Sequence, residues 1–171
     1  MAKITLTNKK IQETVDEVGG EPAIKIVQFL KTRKNISEFI IADKTKLDMQ
    51  TTRSTLYRLN GHNVATYIRK KDRQKGWYIS YWTFNKKGVK DLIVKLKKQK
   101  IEKLKERLVK EEGNQGNFFI CSKACVRLDF DQGTEFEFKC PECGGLLNQQ
   151  DNVKTIENIK NKINELETKP V

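Results

Sequence analysis

All four cysteines of this chain lie in one short stretch, CSKACVRLDFDQGTEFEFKCPECGG, residues 121 to 145. The spacing is C-x3-C, then fourteen residues, then C-x2-C. Two close pairs of this kind can bring four sulfurs to the corners of a tetrahedron, the arrangement of a closed zinc site with no open position for chemistry. Cys121, Cys125, Cys140 and Cys143 are therefore the expected ligands of one structural Zn2+. In Cys140-Pro141-Glu142-Cys143-Gly144-Gly145 the two glycines let the backbone turn beneath a metal without a Cβ clash. Phe118, Phe119 and Ile120 lead into the first pair. Phe136, Glu137 and Phe138 alternate into the second. The expected local fold is a zinc ribbon, a small sheet with a hairpin between the pairs. A segment of about 35 residues buries too little surface to fold unaided, so metal binding would drive its folding. A rubredoxin-like iron site and a redox dithiol fit the same spacing, but nothing else in the chain points to a flavin or haem partner.

Charge divides the chain. The net charge of the 171 residues is +12. Residues 53 to 105 carry 16 Lys and Arg against 3 Asp and Glu, whereas residues 117 to 150 carry 3 against 5. The basic part and the cysteine part are thus different surfaces. A basic domain commonly meets a polyanion, most often nucleic acid. A row of solvated lysines that serves solubility alone accounts equally for Lys95 to Lys105. The composition is 37% hydrophobic and 33% charged, enough for a modest core beneath a very polar surface. No stretch approaches the ~18 apolar residues of a membrane helix, and the first fifteen residues lack the apolar centre of a secretory signal. The expectation is a reducing, cytoplasmic setting without a membrane partner. Catalysis is not expected. The single histidine, His62, falls in the turn NGHN; no P-loop, GxSxG or HExxH occurs, and the acids are scattered.

The fold class expected is α+β, mostly helical. Residues 8 to 18 carry Ile11, Val15 and Val18 at helical spacing, Gly19-Gly20 breaks that helix, and Glu21-Pro22 starts another. Ser37 begins a short apolar helix. Asp48 is the N-cap of a further one, in which Thr52, Leu56 and Leu59 line one face and Asn60-Gly61 ends it. Arg53, Tyr57 and Arg58 fall outside that apolar stripe. Two helices about a tight turn make a helix-turn-helix pattern. Val64 to Ile68 alternates, a charged tip follows, and WYISYWTF (77 to 84) is a strong strand. Helix-turn-helix plus a basic-tipped hairpin is a winged helix. From Lys86 to Glu112 the pattern becomes one long helix, ended by GNQGN. The domains expected are a winged helix over 1–88, a long linker helix and hinge over 89–116, the ribbon over 117–150, and a C-terminal amphipathic helix or tail over 151–171. That last segment would pack back on the ribbon, pair with a partner helix, or stay disordered.

Strand period places Trp77, Ile79 and Tyr81 on one face of the hairpin and Tyr78, Ser80 and Trp82 on the other. Aromatics on both faces exceed what one small core takes up. Either the long helix covers the second face or some rings meet a partner, since Trp and Tyr anchor protein interfaces and stack on unpaired bases.

The segment ISEFIIADKTKLDMQTTRSTLYRLNGHNVATYIRKKDRQKGWYISYWTF resembles the winged helix of the archaeal transcription factor E family, counterparts of the alpha subunit of eukaryotic general transcription factor IIE. The order of parts is similar as well: winged helix, long helix, four-cysteine ribbon, over about residues 5 to 147. The RKKDRQKGWYISYW hairpin is the more specific part; the ribbon motif alone is common. The resemblance implies a general initiation factor that joins RNA polymerase, TATA-binding protein and transcription factor B at promoters of an archaeal cell. It implies a winged helix on the polymerase clamp, near the melted DNA and its non-template strand, and a ribbon reaching toward the stalk. It leaves a beta-type partner subunit open. Carried over, Trp77, Tyr78 and Trp82 are candidate clamp or strand contacts, and Arg69, Lys70, Lys71, Arg73 and Lys75 form the basic tip. The first cysteine pair departs from the family's usual C-x2-C by one residue, which bears on local geometry.

Three other readings compete. A site-specific winged-helix regulator would read bases from the helix Asp48 to Asn60, where Gln50, Arg53, Arg58 and Asn60 are available. A zinc-ribbon protein of RNA processing or translation and a small iron electron carrier are the others.

Overall fold

The computed structural model describes residues 6–71 and 76–168, and the chain forms two compact units, one ending at Leu96 and one beginning at Lys97. Thr7 caps helix α1 (Asn8–Leu30) by accepting from the Lys10 N–H. Gly19-Gly20 breaks this run as expected, so that it consists of two helices meeting at a kink. Gly20 sits at φ 67°, ψ −167°, a backbone that L side chains avoid, and Pro22 opens the second half. Strand β1 (Ile36–Ser37) leads into α2 (Glu38–Thr45), capped by the Ser37 hydroxyl; α3 (Met49–Gly61) is capped by Asp48, which accepts from Thr51 N–H at 2.8 Å.

Strands β2 (Ala65–Lys71) and β3 (Tyr78–Phe84) pair antiparallel, with Tyr67 opposite Trp82 and Lys71 opposite Tyr78. The sheet order is β1-β3-β2. Helix α4 (Lys86–Gly113) begins against the same core. Its Gly88 touches the turn after α3 so closely that a Cβ would lie 1.8 Å from the Asn63 carbonyl oxygen. Val15, Ile26, Leu30, Ile41, Leu56, Leu59, Val64, Trp82 and Val89 form the centre of this first core.

In the second unit β4 (Phe118–Cys121) lies between β5 (Arg127–Leu128) and β6 (Leu147–Gln150). The expected hairpin between the cysteine pairs is replaced by a short helix, α5 (Phe130–Glu135). The reason is local. Asp129 accepts from Gln132 N–H while the Gln132 side chain accepts from Asp129 N–H, a reciprocal capping box that starts a helix. Phe136, Glu137 and Phe138 accordingly form no strand. Glu137 and Phe138 take φ of 51° and 53°, and the Phe138 N–H closes the helix end on the Gly133 carbonyl at 2.7 Å. This turns Phe138 inward against Phe119, with ring centroids 4.7 Å apart.

The C-terminal segment forms helix α6 (Val153–Thr168). Lys160 pairs with Glu112 at 2.7 Å and Lys105 with Glu167 at 2.8 Å, so α6 runs antiparallel along the second half of α4. Ile156, Ile159 and Ile163 are buried at helical spacing. Across from them on α4, Ile101, Leu104 and Leu108 are half-buried and Glu111 is buried.

Candidate metal centre and basic aromatic hairpin

The four cysteine sulfurs all lie within 4.8 Å of one another. A tetrahedral site with metal–sulfur bonds of about 2.3 Å places its sulfurs roughly 3.8 Å apart, so the cluster fits one ion. Cys121 ends β4, and its sulfur is 3.4 Å from that of Cys143 and accepts from the Lys123 N–H at 3.4 Å. The first pair accommodates its additional residue through Ala124, which adopts φ 55° and donates its N–H to the Cys121 carbonyl at 2.8 Å. The second pair turns through Gly144 at φ 68°, whose N–H donates to the Cys140 carbonyl at 2.8 Å. Both turns aim thiols inward. Cys121 and Cys140 are buried, Cys125 is half-buried and Cys143 is exposed.

The thiols are chemically unequal. The Lys123 N–H lowers the Cys121 pKa to about 7, whereas the neighbouring Cys121 and Cys143 sulfurs push Cys125 up to about 12. One sulfur is thus set up to ionise first, and a cation that engages all four must displace the protons of the others. The four cysteines lie close enough together to bind one metal ion, and four protein ligands would leave no coordination position for a substrate.

The hairpin separates the residues that sequence alone grouped together. Trp77 is 59% and Tyr78 67% exposed, while Trp82 is 0% exposed. Trp82 is a core residue with no exposed surface, unlike the clamp or strand contact that the resemblance implies for it. Its ring lies 4.7 Å from that of Tyr67 and 5.5 Å, edge-on, from that of Tyr57. Tyr78 and Trp82 do share a face. That face is covered at the base of the hairpin and runs past the core toward the tip. On the opposite face Ile79 and Tyr81 are half-buried and Ile68 is exposed.

Arg69, Lys70 and Lys71 are exposed along β2. Arg69 donates to the Tyr57 hydroxyl at 3.2 Å, and the Lys70 ammonium stands 5.7 Å from the Tyr81 ring centre. Arg73 and Lys75 lie outside the described residues. Two ion pairs have no signal in residue spacing. Glu38, buried under α3, accepts from Arg53 Nη2 at 2.7 Å and Nε at 3.1 Å. Glu111, on α4, accepts from both terminal nitrogens of Arg127 at 2.9 and 3.0 Å. Neither is visible from spacing, because the partners are 15 and 16 residues apart on different elements.

A family model described as the TFIIE alpha subunit matches residues 9–113. The chain belongs to this family. Transcription factor E of Thermococcus kodakarensis is 36% identical over 160 residues, covering 94% of this chain and 86% of the relative. Those of Pyrococcus horikoshii and Metallosphaera sedula are each 34% identical, covering 94% and 86% of this chain and 83% and 84% of the relative. The family is a non-catalytic transcription factor family, and membership implies a general transcription initiation factor. Among the described residues no helix is long and apolar enough to cross a membrane.

Proposed function

We propose that the first unit is a winged helix that binds RNA polymerase at its clamp during initiation, and that the second is a zinc ribbon directed toward the stalk. The observation that carries this reading is the hairpin, where Trp77 and Tyr78 are exposed beside Lys70 and Lys71. Large rings held in solvent next to cations suit a partner that supplies apolar surface and negative charge. The polymerase clamp, promoter DNA near the melted region and its non-template strand are the surfaces this tip would meet. TATA-binding protein and transcription factor B would share the complex, and a beta-type subunit would be a further partner. The working compartment would be the cytoplasm of an archaeal cell, at the nucleoid.

Mechanistically, the chain would act by differential binding. Melted promoter DNA is a minor state, and a factor that prefers it raises its population by that preference. About 1.4 kcal/mol gives a tenfold shift, with no nucleotide hydrolysis. Zn2+ in the cysteine cluster would supply structure alone.

A site-specific regulator is less well supported. Arg53, one of the candidate base readers on α3, is bonded to buried Glu38 and stands 5.9 Å from the centre of the Phe39 ring. The deciding experiment is binding of the full chain to its cognate polymerase without DNA at physiological salt, beside Trp77→Ala/Tyr78→Ala. Retained binding by the wild type and loss in the double variant supports the proposal. Failure to bind polymerase, together with tight binding of one duplex sequence, overturns it.

A further inference from the structure

Arg127 stands two positions after Cys125, on β5, and its backbone pairs with Ile120 of β4. Its side chain reaches away from the sulfurs. The guanidinium lies 3.6 Å from the centre of the Phe118 ring, and Nε donates to Gln150 Oε1 at 2.8 Å. Its two terminal nitrogens hold both carboxylate oxygens of Glu111 in the last turn of α4. Glu111 is only 3% exposed. The same carboxylate accepts from Asn152 Nδ2 at 2.8 Å, and that nitrogen also donates to the Glu111 carbonyl at 2.9 Å. Asn152 is fully buried; its carbonyl accepts from the Ile156 N–H in the first turn of α6, and its Oδ1 accepts from the Gly116 N–H.

A continuous set of bonds therefore runs from Arg127 of β5, two residues beyond Cys125, to the end of α4 and the start of α6. The set is cooperative by its chemistry. A buried carboxylate is tolerated only while its cation and amide partners are in place. Strand β5 is two residues long and has no stability of its own, so its position depends on the turn at Cys121–Cys125.

We propose that the Arg127–Glu111–Asn152 cluster is a clasp through which metal occupancy of the cysteines sets the order of α6 and the last turns of α4. With the four thiolates held on an ion, β5 is fixed and Arg127 meets Glu111. With the ion withdrawn, β5 is released, Glu111 loses the paired nitrogens of Arg127 and keeps only the longer contact to Arg107 of its own helix at 3.8 Å, and α6 separates from α4. Coupling of this kind is reciprocal: loosening the clasp from the helix side weakens the metal by the same factor. The inference stands apart from the proposed polymerase role.

The test uses the full chain and Zn2+. Zinc affinity is measured by competition with a chromophoric chelator for the wild type, Asn152→Ala, Glu111→Gln and Lys160→Ala. Lys160→Ala removes an exposed ion pair between the same two helices and leaves the clasp intact. The clasp variants should lose tenfold or more in affinity, and Lys160→Ala should stay within about twofold. Amide exchange of the zinc-loaded and chelated wild type is the second measurement. On chelation the α6 amides should exchange at least tenfold faster, while those of α1 and α3 keep their protection. Wild-type zinc affinity in both clasp variants overturns the proposal. So does α6 protection that survives chelation, a result that holds even where a variant fails to fold.

Discussion

Trp77, Tyr78 and Trp82 show how one strand divides its aromatic residues between solvent and core. Trp82→Ala removes a fully buried indole that Tyr57 and Tyr67 contact. It should cost about 3–5 kcal/mol and melt the first unit well below the wild type. Tyr78→Ala, at a 67% exposed position, should leave that melting temperature within about 2–4 °C, since surface substitutions fall within roughly 0.5 kcal/mol. Thermal melts of the two variants compare the cases directly. Glu111 gives a second expectation at this scale. The Arg127 hydrogen bonds, aided by Asn152 and opposed by burial, hold its carboxyl below the ordinary value near 4.5. A folded-state pKa below the unfolded one stabilises the fold above the unfolded value, and that contribution is lost as pH falls through the folded one. The second unit should therefore lose stability as pH falls below about 4.5. Glu111→Gln should be destabilised at neutral pH by about 2–4 kcal/mol and show a flatter acid limb. Acid titrations of both proteins followed by circular dichroism check this.

At the scale of elements, caps and breakers were readable because they act within a turn of chain. Ser37 and Asp48 cap the helices expected of them, and Gly19-Gly20 breaks α1 into two helices where the sequence places a breaker. Long-range closeness was not readable. Gly88 looks like an ordinary helical glycine until the Asn63 carbonyl appears against it. Gly88→Ala should force α4 away from the turn after α3, at a cost of about 1–3 kcal/mol that a denaturant titration would read. The helix between the cysteine pairs was hidden for the opposite reason. Phe136, Glu137 and Phe138 have a strand's alternation, but the Asp129–Gln132 capping box acts first and the closing turn takes left-handed residues that no pattern announces. The C-terminal helix was legible as an amphipathic element. Its partner was not, because an apolar stripe specifies that something covers it and leaves open what does.

For the whole molecule, two cores imply two responses to metal. The second core centres on Cys121, Cys140 and Leu147, too small a group to hold three short strands without the thiolates bound. Chelation should abolish its unfolding transition in calorimetry and leave that of the first unit in place. Proton release on reloading with Zn2+ should accompany its return. The chain's sequence by itself determined the four-cysteine cluster, the helix caps, the basic hairpin and the family, because each is a matter of residue type and local spacing. Only the tertiary structure decided that Trp82 is core while Tyr78 is surface, that α6 lies along α4, and that Arg127 meets Glu111. Those outcomes depend on where separate elements come to lie, and burial and charge pairing are properties of that arrangement, with no period along the chain to report them.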